Sequence, residues 1–300
     1  MTTESRSRFT QNYVPGLFAC AAEAYKRWPE VWREICVVKK STKAYEESTY
    51  KSGYGTAAEK VEGGSITYDA RVQGYTKRWV HTTKGLGARI TEECVDDDLY
   101  GDMQDSMTEL GLSLGDKKHV DIAAIFNTGF DTLLSGDSQY IFDTDHVRLD
   151  GSTYSNDATA ADLSHSSLWS AIEAFEDLRD QKGKRINRKP RALLIPAQLE
   201  KKAAELLYSE KYPYSAENRI NSLRRRNLTL IIWHYLSDSN AWFLLGEKDE
   251  NFGLIHFIRK SATFAKDSDF STGDALFKGI YRDSTGVNSP MSLYGNAGSS

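Results

Sequence analysis

Val95, Leu99, Met103, Met107, Leu110 and Leu114 step along the chain by 4, 4, 4, 3 and 4 residues, which is one face of an α-helix. After Asp116-Lys117-Lys118 the stripe resumes at Val120, Ile122, Ala124, Ile125, Phe126 and Phe130. Thr91 is placed to cap the start. Glu92, Glu93, Asp96, Asp97 and Asp98 follow it and complement the positive end of the helix dipole. That local role accounts for the acidic run, whose spacing is not that of an EF-hand loop. Residues 91–134 thus predict one long helix, continuous or with a break, roughly 60 Å long at the usual rise per residue. A compact globule of 300 residues has no use for such a helix. The spacing predicts an extended, plate-like molecule with this helix as its spine.

What flanks the spine is uneven. Residues 1–50 are polar with scattered aromatics, and hold too little periodic apolar sequence to fold alone. They read as an arm with a helix at 17–28, stopped before Pro29, and a second helical patch at 31–39. Residues 51–90 are punctuated by glycines, and Ile66–Val72 and Tyr75–Thr82 both alternate, which predicts a β-hairpin. Its faces carry Tyr68, Arg71, Tyr75, Lys77, Arg78 and Trp79. Neither face is wholly apolar, so the hairpin is expected to protrude and to pack on another molecule. Residues 131–163 are loop-rich. From 164 to 250 helix and strand alternate. A helix capped near Ser164 carries Leu168, Ile172, Phe175 and Leu178 and ends at Gly183. A strand spans 191–195, and Pro196 opens a helix over 197–208. Strands follow at 228–236, 242–245 and 253–259. The closing strand 275–282 belongs with the earlier elements, so this α/β unit reads as inserted. The tail 284–300 is rich in Gly, Ser and Asn and reads as loose.

Catalytic chemistry finds little to stand on. There is no Gly-x-Ser-x-Gly elbow, Walker loop or GxGxxG motif. Gly85-Leu86-Gly87 precedes an acidic stretch that would repel a phosphate. Asp143, Asp145 and His146 are legitimate metal ligands, but a loop of this composition uses Asp for turns. His119 and Asp121 fall on different helix faces. No metal and no cofactor is expected. Cys20, Cys36 and Cys94 are odd in number and show no CxxC spacing, so reduced thiols are expected. No run of 18 apolar residues is present, and no membrane partner is expected. Val14–Ala22 mimics a signal peptide, but Pro15 and Gly16 interrupt it and Glu4 sits in the region that should be positive. A hydrolase or transferase built on 164–250 remains the enzymatic alternative.

Basic residues cluster twice, at Arg179, Lys182, Lys184, Arg185, Arg188, Lys189 and Arg191, and at Arg224-Arg225-Arg226. Phosphate binding is one reading. Pairing with a neighbouring subunit, or plain solubility, is the other. It is favoured because the chain carries a net charge of −4 and the clusters lack interleaved aromatics.

Several segments, in order, resemble the major capsid proteins of tailed phages, the Mu-like branch in particular. Phe126-Asn127-Thr128-Gly129-Phe130 followed by Ser135-Gly136-Asp137 is similar to the family's end-of-spine stretch. Phe142-Asp143-Thr144-Asp145-His146 with Asp150–Asn156 resembles its following loop, with Val147 where the family has Pro. Leu193-Leu194-Ile195-Pro196-Ala197-Gln198-Leu199 resembles its strand-to-helix junction, and Asn218–Leu223 its N-x-I-N-x-L motif. Phe270–Arg282, about 30 residues after Tyr235–Leu244, resembles its closing third.

The resemblance covers about residues 50–290. It implies an α+β HK97-like capsid fold: N-terminal arm 1–50, extended hairpin loop 51–90, peripheral domain 91–163 and 251–300 with the spine helix, and axial domain 164–250. It implies a structural protein, not an enzyme, that forms pentamers and hexamers of an icosahedral head around double-stranded DNA. Scaffolding, portal and decoration proteins would be separate chains, and no cleaved N-terminal scaffolding segment is expected. Assembly would take place in the host cytoplasm. Tyr68, Arg71, Tyr75, Lys77, Arg78, Trp79, Arg224, Arg225 and Arg226 are the candidate inter-subunit contacts. An encapsulin-like compartment, which shares the fold but holds protein cargo, is the nearest alternative.

Overall fold

The computed structural model describes residues 7–91, 93, 94, 97, 101–158, 160–213 and 220–299, with 7–14 and 102 as backbone only. Two four-stranded sheets and one long helix organise it. The helix, α3, follows α1 (Ser7–Tyr25) and α2 (Trp32–Ile35) and runs from Asp102 to Asn127. At 26 residues it is about 39 Å long, shorter than the stripe implied. Gly101 explains the difference. Its backbone is left-handed, φ 80°, so it starts a helix and cannot continue one from residue 91. Thr91 does accept an amide at its hydroxyl, from Cys94 at 3.4 Å, but it caps a separate turn. Val95 and Leu99 of the stripe, with Glu92, Asp96 and Asp98, lie outside the described residues.

The first sheet runs β1 (Val37–Lys40), β10 (Leu254–Ser268), β11 (Ala275–Val287), β4 (Thr82–Ile90). β1 is parallel to β10, and the other pairs are antiparallel. β10 and β11 form a ribbon that carries the closing segment well past Arg282. The second sheet runs β12 (Leu293–Asn296), β9 (Trp242–Leu245), β7 (Ala192–Ile195), β8 (Thr229–Ile232). Its central strands are buried on both faces, which is why they read as unbroken apolar runs. Ala192, Leu194, Phe243 and Leu245 face the C-terminal half of α3. Leu193, Ile195, Trp242 and Leu244 face α4 (His165–Glu176) and α5 (Glu200–Tyr208). α4 starts in a capping box in which Ser164 and Ser167 exchange hydrogen bonds of 3.1 and 2.9 Å. It ends at Glu176, not at Gly183, which instead turns the 180–184 loop with φ 74°. The helix after Pro196 opens with a 3-10 turn before α5.

The N-terminal half of α3 packs between α1 and the first sheet, where Leu17, Ala21, Met107, Leu110, Leu114, Phe277 and Tyr281 form one cluster. The helix of the expected arm is therefore packed on its own chain. α1 starts earlier than residue 17 and ends at Tyr25, and the patch expected at 31–39 splits into α2 and the strand β1. The tail is not loose either. Met291, Leu293 and Tyr294 are buried, and β12 pairs with β9.

The hairpin differs in partner. β3 (Gln73–Val80) pairs with β2 (Tyr45–Lys51), not with Ile66–Val72. β2 is mostly polar, so its alternation carries little signal in the sequence. Residues 52–72 form the long connection between the two strands. Residues 146–147 and 153–154 add β5 and β6, a small two-stranded ladder.

Candidate assembly surfaces

The β2–β3 hairpin has one committed face. Trp79 is buried against Phe257, ring centroids 5.4 Å apart. Tyr75 stacks on Tyr50 at 5.5 Å, and Tyr50 meets Phe252 edge-on. Lys77 donates to the Leu134 carbonyl at 2.8 Å, and burial pushes its ammonium pKa down. Tyr75, Lys77 and Trp79, read as contacts to another subunit, are thus occupied inside this one. Arg78 lies on the opposite, exposed face, 4.4 Å over the Tyr45 ring and 3.1 Å from Glu47.

The connection 52–72 is pinned at its neck. Ser52 and Val72 exchange backbone and side-chain bonds of 2.9 and 2.8 Å, and Arg71 donates to the Ser52 carbonyl at 3.1 Å. Asp69 accepts the Gly55 amide at 2.6 Å and the Lys182 ammonium at 2.7 Å. Lys182 also reaches the Ala70 carbonyl at 2.7 Å. The Lys182 hydrogen bond, then the Gly55 amide, hold the Asp69 carboxyl down at about 2. Beyond the neck, among the described residues, the backbone of 56–68 is closed only by the Gly64 amide on Val61. Val61, Ile66 and Tyr68 stand out to solvent, Tyr68 at 93% exposure.

The basic clusters turn inward more than expected. Lys182 holds Asp69, Arg185 holds Asp177 at 2.8 Å, and Arg188 holds Asp249 at 2.6 Å with its guanidinium over Phe252. Arg191 donates to the Glu34 carbonyl. Arg224 meets Glu210 at 3.0 Å, and Arg226 meets Glu176 at 2.7 Å over the Trp169 ring. Arg225 is exposed. Pairing does explain most of these charges, but the partners are in the same chain.

The former metal candidates are locks. His146 is fully buried, with Nδ1 2.7 Å from Asp137 Oδ2 and Nε2 3.0 Å from Asn156 Oδ1. Asn156 also accepts the Asp143 amide and donates to the carbonyls of Ile141 and Leu293, which fastens the loop to the tail. Burial works against the Asp137 charge, but the His146 bond wins and lowers its pKa. Asp137 and Asn156 enter the sequence reading only as parts of motifs, because their bonds to His146 cross an irregular loop in which no periodicity signals a contact. Asp143 only closes a turn onto Asp145. His119 stacks on Tyr235, whereas Asp121 pairs with Lys84 and Lys117. Among the described residues no group of three or more His, Cys, Asp or Glu is placed to hold a metal ion.

Comparison with known proteins accounts for a molecule whose exposed features are grips and tips. A family model described as phage capsid protein matches residues 74–295. The Mu-like prophage FluMu major head subunit of Haemophilus influenzae is 23% identical over 311 residues, covering 76% of this chain and 99% of that protein. The solved structure of Microbacterium phage Oxtober96 superposes with a TM-score of 0.57 at 10% identity, over 89% of this chain and 90% of its own. The procapsid of bacteriophage JBD30 gives 0.54 at 16% identity, over 96% and 75%. A virus-like particle from Pyrococcus furiosus gives 0.57 at 10% identity, over 94% and 98%. These likenesses are in fold, the HK97-like fold. Matched by its family model over most of its length, this chain belongs to the phage capsid proteins.

Proposed function

We propose that the subunit closes into pentamers and hexamers that tile an icosahedral head around double-stranded DNA. The observation that carries this is the pinned connection 52–72, with Val61, Ile66 and Tyr68 held out to solvent. Laid on an adjoining subunit, those side chains bury area that this subunit leaves open. Specific stable contacts bury roughly 1,200–2,000 Å² each, and closed symmetry repeats them. In this reading the β2–β3 hairpin and its connection are the extended loop, with Tyr68, Arg71 and Arg78 facing a neighbour, while β4, expected within 51–90, belongs to the first sheet. The first sheet with α3 is the peripheral domain. The second sheet with α4 and α5 is the axial domain, and the tail strand β12 belongs to it. Of the second cluster, Arg224 and Arg225 are exposed and available to the next copy, whereas Arg226 is held by Glu176 and Trp169 inside the unit.

The work of the protein is assembly, and DNA contact is non-specific. Scaffolding, portal and decoration proteins are separate chains, and assembly takes place in the host cytoplasm. No described helix is long and apolar enough to cross a membrane. The second reading, an encapsulin-like shell around protein cargo, draws on the likeness to the Pyrococcus particle. It has less behind it than the phage head reading.

Negative-stain microscopy of the purified protein, with analysis of what particles isolated from a producing host contain, tests both. Closed particles holding nucleic acid are expected. Protein cargo in its place favours the compartment, and monodisperse monomer under all conditions overturns both readings.

A further inference from the structure

We propose that Phe270 is an anchor received by a second copy of this chain, in the cleft beneath the N-terminal helix. The proposal rests on the shell reading above.

The tip of the β10–β11 ribbon is built to be rigid. Asp269 accepts the Ser271 amide at 3.0 Å and the Ser271 hydroxyl at 2.6 Å. The Asp269 and Gly273 amides close the turn onto Asp274 and Asp269 carbonyls at 3.0 and 2.8 Å. Arg89, from the neighbouring strand β4, clamps Asp274 at 2.5 Å and Thr272 at 2.9 Å. At the crown of this clamped turn Phe270 is 105% exposed. One exposed apolar side chain is ordinary. A rigid mount beneath it is what lowers the ordering cost of an interface anchor.

The same surface carries a matching hole. A cleft of about 600 Å³ opens between α1 and the ribbon, lined by the rings of Tyr25, Trp28, Phe264 and Tyr281. Buried Lys118 lines it too, its ammonium 4.2 Å from the Trp32 ring centroid and 5.9 Å from that of Tyr25. Among the described residues no carboxylate lies within 4 Å of that ammonium. An incoming aromatic face or acidic group would complement it. The mouth is basic through Lys26, Arg27 and Lys260, while its acids are engaged: Glu30 pairs with Arg33 and Asp283 with Lys84. The tip carries Asp267, Asp269 and Asp274 against one base, Arg89, which pairs with the last two, and has no Lys or Arg from 267 to 277, so it stays net acidic.

Geometry selects the occupant. Phe264 lines the cleft and Phe270 stands six residues further along the same strand and turn. That separates them by roughly 20 Å at strand rise. The tip cannot bend back into its own cleft, and the acidic tip and basic mouth, both carried by every copy of this chain, select a second copy as the donor of the ring.

A double variant, Ser261→Cys with Ser268→Cys, which keeps the Phe270 ring, tests the contact in assembled particles. Ser261 is exposed at the cleft. Within one chain the two positions are much too far apart for a disulfide, which needs Cα atoms within about 7 Å. The expected result is dimers and higher multimers on non-reducing gels from the double variant, and none from either single variant. In parallel, Phe270→Ala should leave the subunit's thermal midpoint unchanged and raise the protein concentration needed for particles by about tenfold, with Phe270→Leu between the two. Particles with no cross-link, a cross-link to a different protein, or wild-type assembly by Phe270→Ala would each overturn the anchor and leave the shell reading standing. Absence of particles from the wild-type chain overturns the shell reading, and the anchor with it.

Discussion

Asp157 carries a carboxyl where charge is unwelcome. It sits where the loop bridges to Gly295 of the tail, and its buried Oδ1 finds no hydrogen-bond donor. Burial, and then the nearby Asp143 charge, push its pKa up to about 6 from the usual 3.8. A carboxyl raised by folding stabilises the native state below its unfolded pKa, and loses that contribution as pH climbs through the folded value. The subunit should therefore lose stability between about pH 4 and pH 6 at this site. Asp157→Asn removes the loss. In denaturant titrations the variant should exceed the wild type by about 1 kcal/mol at pH 7.5, after discounting the solvent-facing part of the group, and converge with it only below the unfolded carboxyl pKa of 3.8. Equal curves at pH 7.5 would assign the pKa to some other carboxyl. Residues of this kind were poorly legible in the sequence. Asp143, Asp145 and His146 stood out as chemistry-bearing, yet what decides their role is Asn156 and Asp137, and whether a Lys or Arg finds its partner inside the chain. Lys182 meets Asp69 across 113 residues, and no local pattern encodes that.

At the scale of elements, the contact between α1 and α3 shows why the arm was misjudged. Its burying residues, Leu17, Ala21 and Ala24, are few and two of them small. Such a stripe looks too weak to hold a helix until the partner surface is known. That surface is Gly111 and Gly115 on α3. A Cβ at 111 would collide with the Ala21 carbonyl oxygen, and one at 115 would lie 2.8 Å from that of Tyr25. The two backbones touch there, as small residues four apart on a helix allow. Gly111→Leu should push α1 off the spine. Overpacking of this kind costs about 1–3 kcal/mol, read as a lowered denaturation midpoint, with faster hydrogen exchange in 17–25. Retained protection of 17–25 would mean that α1 is held elsewhere. The spine was legible because Met107, Leu110 and Leu114 repeat at helical spacing, but its start was not, since the apolar stripe runs through Gly101 unchanged while the backbone breaks there. For the hairpin, the alternation in Ile66–Val72 is real, yet strand pairing depends on the partner. Ser52 and Val72 close the loop before that segment can pair. The tail failed for a related reason: Gly and Asn suggest slack, while Met291, Leu293 and Tyr294 fit a sheet edge that only the folded chain supplies.

For the whole molecule, the order of parts carried the reading: arm, glycine-punctuated hairpin, spine, inserted α/β unit and returning strand. What remains is to separate folding of one subunit from joining of many, and the connection 52–72 does this cleanly. Its neck is held by Ser52, Gly55, Asp69 and Val72, whose partners lie inside the subunit. Its outer residues, from about 57 to 67, contribute exposed side chains such as Val61 and Ile66 and almost no internal bonds. Burying each such apolar side chain on a neighbour is worth roughly 1.5–3 kcal/mol, repeated at every contact of a shell. Replacing 57–67 by a short Gly-Ser bridge should leave the subunit's thermal midpoint and circular dichroism as they are, because nothing in its core is removed. The same change should abolish closed particles, or raise the concentration needed for them by about a hundredfold, a loss equivalent to about 2.7 kcal/mol per contact. Light scattering against protein concentration reads this directly. A shortened chain that melts earlier would show that the connection serves the fold. One that still forms particles at wild-type concentration would place the decisive contacts elsewhere, on the ribbon tip and the cleft that faces it.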